Sequence, residues 1–246
     1  MTKRIVILLV ILFAVKFFVS SYQKYQEKSS FQRETLAQLA PYQDAGKELL
    51  DIIQKVDNEL YQTIQQQVKT TELSTPEQLN QYLQTIIITL ESLMESRLNQ
   101  TSSAAFQQFM ITNNNVLQEL LIKDPSGNMC IGISLGDIES IKKSADLISE
   151  PLRTQKLNAT KAVLLDSVQM QPKYNFTDDE KMAFWQQTLT KVVQKYPPIL
   201  FEQVDLSFQE MTEKAMVCQF FIDIAQEFID AEDQNLSIAT WQLINQ

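Results

Sequence analysis

The chain has 246 residues, with 21 Lys and Arg against 30 Asp and Glu, a formal net charge of -9 and no histidine. Phosphate backbones are gripped by basic stripes that release counterions, so this balance excludes nucleic acid as a partner and disfavours a surface helix laid on anionic lipid. The missing histidine excludes His-based triads, zinc hydrolase centres and the Glu-x-x-His sites of di-iron bundles, so no catalytic, cofactor or metal residue is assigned.

Glycine and proline number only 4 and 7. All-β chains need such residues to reverse direction every few positions, so the predicted class is all-α. Met1–Arg4 supply an amine and two basic side chains ahead of an apolar run from Ile5 to Ser21. That is the layout of a signal peptide or signal anchor, with its charged end left in the cytoplasm. Thirteen of the residues from Ile5 to Val19 are Ile, Leu, Val or Phe. Each favours insertion by about 0.3 to 0.6 kcal/mol, against about 3 for a central charge such as Lys16, so insertion wins by a modest margin. A retained single-pass anchor is the favoured reading. Cleavage after the small residue Ser21 is the alternative, because about 17 residues is short for a bilayer span. The implied address is a bacterial inner membrane with the domain facing the periplasm, or a secreted or periplasmic form after cleavage near Ser21.

Residues 1–22 are thus read as the export segment, 23–45 as a polar juxtamembrane stalk and 46–246 as an antiparallel, bundle-like helical domain, with 46–124 and 137–246 as possible subdomains. From Gly46 onward Leu49, Ile53, Val56, Leu60, Ile64 and Val68 recur at three and four residue steps, which predicts one helix. Thr75, Pro76 and Gln78 mark the start of a second, whose stripe is Leu79, Leu83, Ile86, Leu90 and Leu93, and a short connection makes the two an antiparallel hairpin. A third is predicted over Ser103–Lys123 with Phe106, Met110, Leu117 and Leu120 inward, weak at Asn113–Asn115 and stopped by Asp124–Gly127. Shorter stripes follow at Ile138–Ile148 and around Val163–Val168. Thr177 and Glu180 form a capping box for a helix that ends at Pro197 and Pro198. A last long helix is predicted from Leu206 to Glu232, then a tail helix around Trp241.

The cysteines are Cys130 and Cys218. In an oxidising compartment they are a candidate disulfide that would stabilise by about 3 to 4 kcal/mol. Separate burial as small hydrophobes is the equal alternative. Gly127–Ser134 echoes a phosphate loop but has Ile133 in place of the lysine, so a packed loop before a helix is favoured. Met129, Ile131, Ile133 and Leu135 alternate within it as a short strand or plug. Exposed, they form a candidate contact loop; buried, the favoured case, they cap the core. Asp223, Glu227 and Asp230 share one helical face near a C-terminus, where the helix dipole disfavours them unless something compensates. A lone stripe supplies too few oxygens for calcium, so a solvated face is the expected state.

The expected function is a non-enzymatic protein-interaction module, tethered to the membrane by the N-terminal helix and partnering another envelope protein or itself. A carrier holding an apolar ligand or lipid between helices is the alternative, and a carboxylate-based enzyme comes third. An exposed apolar patch speaks for docking, an enclosed apolar cavity for the carrier, and a polar cleft with converging carboxylates for catalysis.

Overall fold

The computed structural model of the chain describes residues 43–70, 76–98, 100–169 and 175–244. The export segment, the stalk up to residue 42 and the capping Thr75 lie outside them. Every regular element among the described residues is an α-helix, as the scarcity of turn formers predicts. No helix among them is long and apolar enough to cross a membrane. They fall into two compact units, divided in the sequence between Ser96 and Arg97.

The first unit contains α1 (Gln43–Val56), α2 (Asn58–Thr70) and most of α3 (Pro76–Leu98). The single helix expected from Gly46 to Val68 is two helices, and the first starts inside the expected stalk. Asp57 is the reason. Its N–H closes α1 on the Ile53 carbonyl at 2.7 Å, while its Oδ1 accepts the Leu60 N–H at 2.9 Å and caps α2. An aspartate side chain that captures a backbone donor competes with helix continuation, which overrides an apolar stripe running on in register. Leu49, Leu50, Ile53 and Ile64 are buried on α1 and α2, as are Leu90, Leu93 and Met94 on α3. The expected hairpin rests on Leu79, Leu83, Ile86 and the connection at 71–75, which lie outside what is described of the side chains and backbone.

The second unit runs through α4 (Ser103–Lys123), α5 (Asn128–Leu135), α6 (Ile138–Leu147), α7 (Glu150–Gln169), α8 (Asp178–Val193), α9 (Ile199–Val204), α10 (Lys214–Ile229) and α11 (Gln234–Ile244). It is built on two helices. α10 packs against α4, α5, α8, α9 and α11, and α4 against α5, α6, α7, α10 and α11. Because α4 belongs to this unit, the boundary between units lies near residue 97, not between 124 and 137 as the subdomain reading had it. Apolar side chains from α4, α10 and α11 meet at its centre: Trp241 stands edge-on to Phe106 at 6.1 Å and to Phe228 at 5.4 Å, and Phe184 of α8 meets Phe228 at 5.4 Å. Burying each such ring contributes roughly 1.5 to 3 kcal/mol, with edge-to-face geometry adding to it.

Helix ends are closed by distant side chains. α10 is shorter than the expected Leu206–Glu232, because Gln203 Oε1 accepts the N–H groups of Thr212 at 2.8 Å and Glu213 at 3.0 Å and so sets its start. At its other end the carbonyl of Ile229 accepts the Gln107 amide at 3.1 Å and the Gln234 amide at 2.9 Å. Asp166 of α7 accepts the Ser102 N–H and the Thr101 hydroxyl at the start of α4, at 2.6 and 2.9 Å. Burial works to raise the Asp166 carboxyl, but the hydrogen bonds from Ser102 and Thr101 outweigh it and hold the pKa below the usual value. The Thr177–Glu180 capping box forms as the sequence indicates, with Thr177 Oγ1 accepting the Glu180 N–H at 3.2 Å.

Candidate functional site

Cys130 of α5 and Cys218 of α10 are joined by a disulfide, with Cα atoms 6.0 Å apart and a sequence separation of 88. Both side chains are fully buried. The bridge fastens a short, almost wholly apolar helix to the helix around which the unit is organised.

The segment expected to be a strand, plug or contact loop is helix α5. Ile131 and Ile133 are buried, and Met129 and Leu135 are partly so. Alternation of apolar residues misleads here because Cys130, Gly132 and Ser134 are buried as well. An eight-residue helix covered on all sides carries no readable period. Its glycines serve packing instead of phosphate. Gly127 before α5 and Gly136 after it have φ of 75° and 76°, the left-handed region that favours glycine. A Cβ on Gly127 would stand 2.4 Å from the Ala215 nitrogen, and one on Gly132 would stand 2.0 Å from Ser140 Oγ. α5 therefore touches the start of α10 and the face of α6 at backbone distance.

The acidic face of α10 is compensated by α8, by the turn that follows it and by amides. Lys195 reaches Asp223 at 3.2 Å and Lys191 reaches Glu227 at 3.3 Å, while the Gln219 amide donates to Asp223 and the Gln226 amide to Asp230, each at 2.9 Å. These pairs are exposed enough that each is worth at most about 1 kcal/mol. Tyr196 packs edge-on to Phe220 at 5.6 Å. Burial, and then the Asp223 carboxylate beside it, push the Tyr196 phenol above its ordinary pKa. Among the described residues no group of three or more Cys, Asp or Glu converges to hold a metal ion.

Two arrangements are not marked by any motif. The first is a solvent-open groove of about 360 Å³ between the last turns of α4 and the middle of α10. Leu121, Ile122 and Ile222 give it an apolar floor, and Gln118, Gln219, Gln226 and Asp223 give it a polar rim. Asn114 Nδ2 donates to Gln226 Oε1 at 3.0 Å and ties the two walls together. Ile122 is 78% exposed. The available signal was that Leu121 and Ile122 continue the apolar character of α4 beyond its inward stripe.

The second is the seam between α4 and α7. Lys156 of α7 is only 1% exposed, its Nζ lies 4.0 Å from the centroid of the Phe109 ring, and it has no hydrogen-bond partner. The Asn113 amide and the Thr160 hydroxyl are also buried without partners. A single buried lysine gives no sequence signal, since lysine is almost never fully buried. No protein-family model, curated protein or solved structure matches the chain.

Proposed function

We propose that the chain is a membrane-tethered, extracytoplasmic protein-interaction module of the cell envelope, and that it docks an amphipathic helix of another envelope protein in the groove between α4 and α10. The observation that carries this reading is Ile122, a large apolar side chain exposed at 78% on the apolar floor of an open groove. Leaving such a residue in water forgoes about 1.5 to 3 kcal/mol that an occupant recovers. Apolar side chains set between two helices suit a third helix presenting residues at i, i+3 and i+4. The chain's net charge of -9 repels a second copy while attracting Lys or Arg on the flank of the occupant. The Cys130–Cys218 bridge suits an oxidising compartment outside the cytoplasm. The groove's openness to solvent speaks for docking over carriage of a sequestered lipid.

The test is photocrosslinking in intact cells, with a benzophenone residue at Gln219 and, as a control, at Val168 on α7. The expected result is one adduct from position 219, whose crosslinked peptide is a helix with an apolar face and a basic flank. Ile122→Glu lowers its yield at least about tenfold, the loss of one central anchor, without changing the unfolding curve. An adduct with a second copy of this chain, with lipid alone, or with nothing at 219 overturns the reading.

A further inference from the structure

The interior of a helical unit normally admits lysine only when its ammonium is paired. Lys156 breaks that rule. Its Nζ touches the face of Phe109 at 4.0 Å and no hydrogen-bond acceptor. One turn on from Phe109 is Asn113 and one turn on from Lys156 is Thr160, both buried with unpartnered polar atoms. The ionisable side chains nearby supply no counter-charge. Arg153 one turn back on α7 and Lys161 five residues on are themselves cations. The acidic Glu119 on α4 lies ten residues beyond Phe109, about 15 Å along the helix, and is engaged by Lys123 and Ser149. Asp166 on α7 lies ten residues beyond Lys156 and is engaged by Ser102 and Thr101. Asn113 also sits in the run of asparagines that weakens α4 as a helix.

We propose that the seam between α4 and α7 is a pH-sensitive latch, closed while the Lys156 amine is uncharged and driven open when that amine takes up a proton. Charging an unpaired amine in this interior leaves it only the Phe109 ring, whereas opening the seam gives it water. Burial pushes the amine's pKa well below 10.5, so the closed seam sheds its proton where the open one still holds it. Between the lowered value and 10.5 the open form binds the additional proton, and the closed form therefore gains as pH rises and loses as pH falls. One proton changes the equilibrium constant about tenfold per pH unit across that interval. The background is quiet: the chain has no histidine and its two cysteines are bonded. Asp166 and Glu119 are both held below the ordinary carboxylate range and titrate in acid.

The test uses the full chain in detergent micelles, unfolded with urea at pH 6 and pH 9 and followed by tryptophan fluorescence. Trp185 and Trp241, the chain's 2 tryptophans, both lie in the unit that holds the seam. The wild type is expected to gain in folding equilibrium constant between the two pH values, by about tenfold for each pH unit that lies above the lowered pKa. Lys156→Met, of similar length and apolar, is expected to lose that gain and to exceed the wild type at pH 6. Equal pH dependence of the two proteins overturns the latch. Because the variant need not fold, the wild type is also titrated by NMR of its lysine ε-methylene groups, assigned to Lys156 by substitution with arginine. A Lys156 signal that moves at the ordinary lysine pKa overturns the proposal, and one that moves well below it supports the latch.

Discussion

Removing the bridge by the double change Cys130→Ala and Cys218→Ala tests how the second unit is held together. The bridge joins positions 88 apart, and the chain-entropy relation for a loop of that length gives about 4.6 kcal/mol at 25 °C, above the roughly 3 to 4 kcal/mol expected from the sequence. Each alanine also removes one buried sulfur beside apolar neighbours, a further loss of order 1 kcal/mol or less per site. A domain's whole stability is about 5 to 15 kcal/mol, so the variant loses a third or more of it. With a urea dependence of about 2 kcal/mol/M, the midpoint falls by about 2 M. The assay is urea unfolding read by Trp185 and Trp241, beside intact-mass measurement of the wild type alkylated before and after reduction. The reasoning is refuted if the double variant keeps the wild-type midpoint, or if the unreduced wild type takes up two alkyl groups. A further expectation separates the bridge from a surface disulfide. Both cysteines are fully buried, so under native conditions reductant opens the bridge only as fast as the unit unfolds.

Two more predictions concern helix ends. Gly127→Ala forces a side chain into a backbone at φ 75° and within 2.4 Å of the Ala215 nitrogen. The left-handed conformation alone costs about 1 to 2 kcal/mol, and relieving the clash separates α5 from α10, so a melting-temperature loss of at least about 4 °C is expected by circular dichroism. Asp166→Asn replaces an ionised acceptor of two hydrogen bonds at the start of α4 and lowers stability at pH 7 by about 1.5 to 3 kcal/mol. The Asp166 pKa is depressed in the folded state, so its contribution is present above the unfolded value of 3.8 and is lost as pH falls through the folded value. Acid unfolding curves of the variant are correspondingly less steep below about pH 4.

Much of the second unit can be read from the sequence because its signals are local. Ser103–Lys123 carries its inward stripe up to an Asp-Pro-Ser-Gly stop, and Thr177 with Glu180 announces α8 within four residues. The errors arise where a distant side chain decides. No glycine or proline marks the start of α10, because the cap is Gln203, reaching donors at residues 212 and 213 from a separate helix. α7 extends over Glu150–Gln169, well beyond the stripe near Val163, because Lys156 and Thr160 are buried polar residues that break its apolar count. The same cause hides the candidate sites. The groove pairs residues from α4 and α10 about a hundred positions apart, and the latch depends on a lysine whose burial is set by the helix packed over it. Pairing and separate burial of the cysteines are equal readings of the sequence, because only the packing of α5 on α10 brings Cys218 to Cys130.

The position of α10 in the chain governs when the second unit can form. Its neighbours α4, α5, α8 and α9 precede it and α11 follows, so the contacts that close this unit await residues 214–244. At an elongation rate of about 5 to 20 residues per second, α4 leaves the ribosome several seconds before its partner exists. During that interval Cys130 has no mate, and the apolar surfaces of α4 and α5 are open to chaperones or to misassociation. Truncation ahead of α10 is therefore expected to be as damaging as deletion of an early helix, and a nascent chain stalled before residue 214 is the form most exposed to proteolysis.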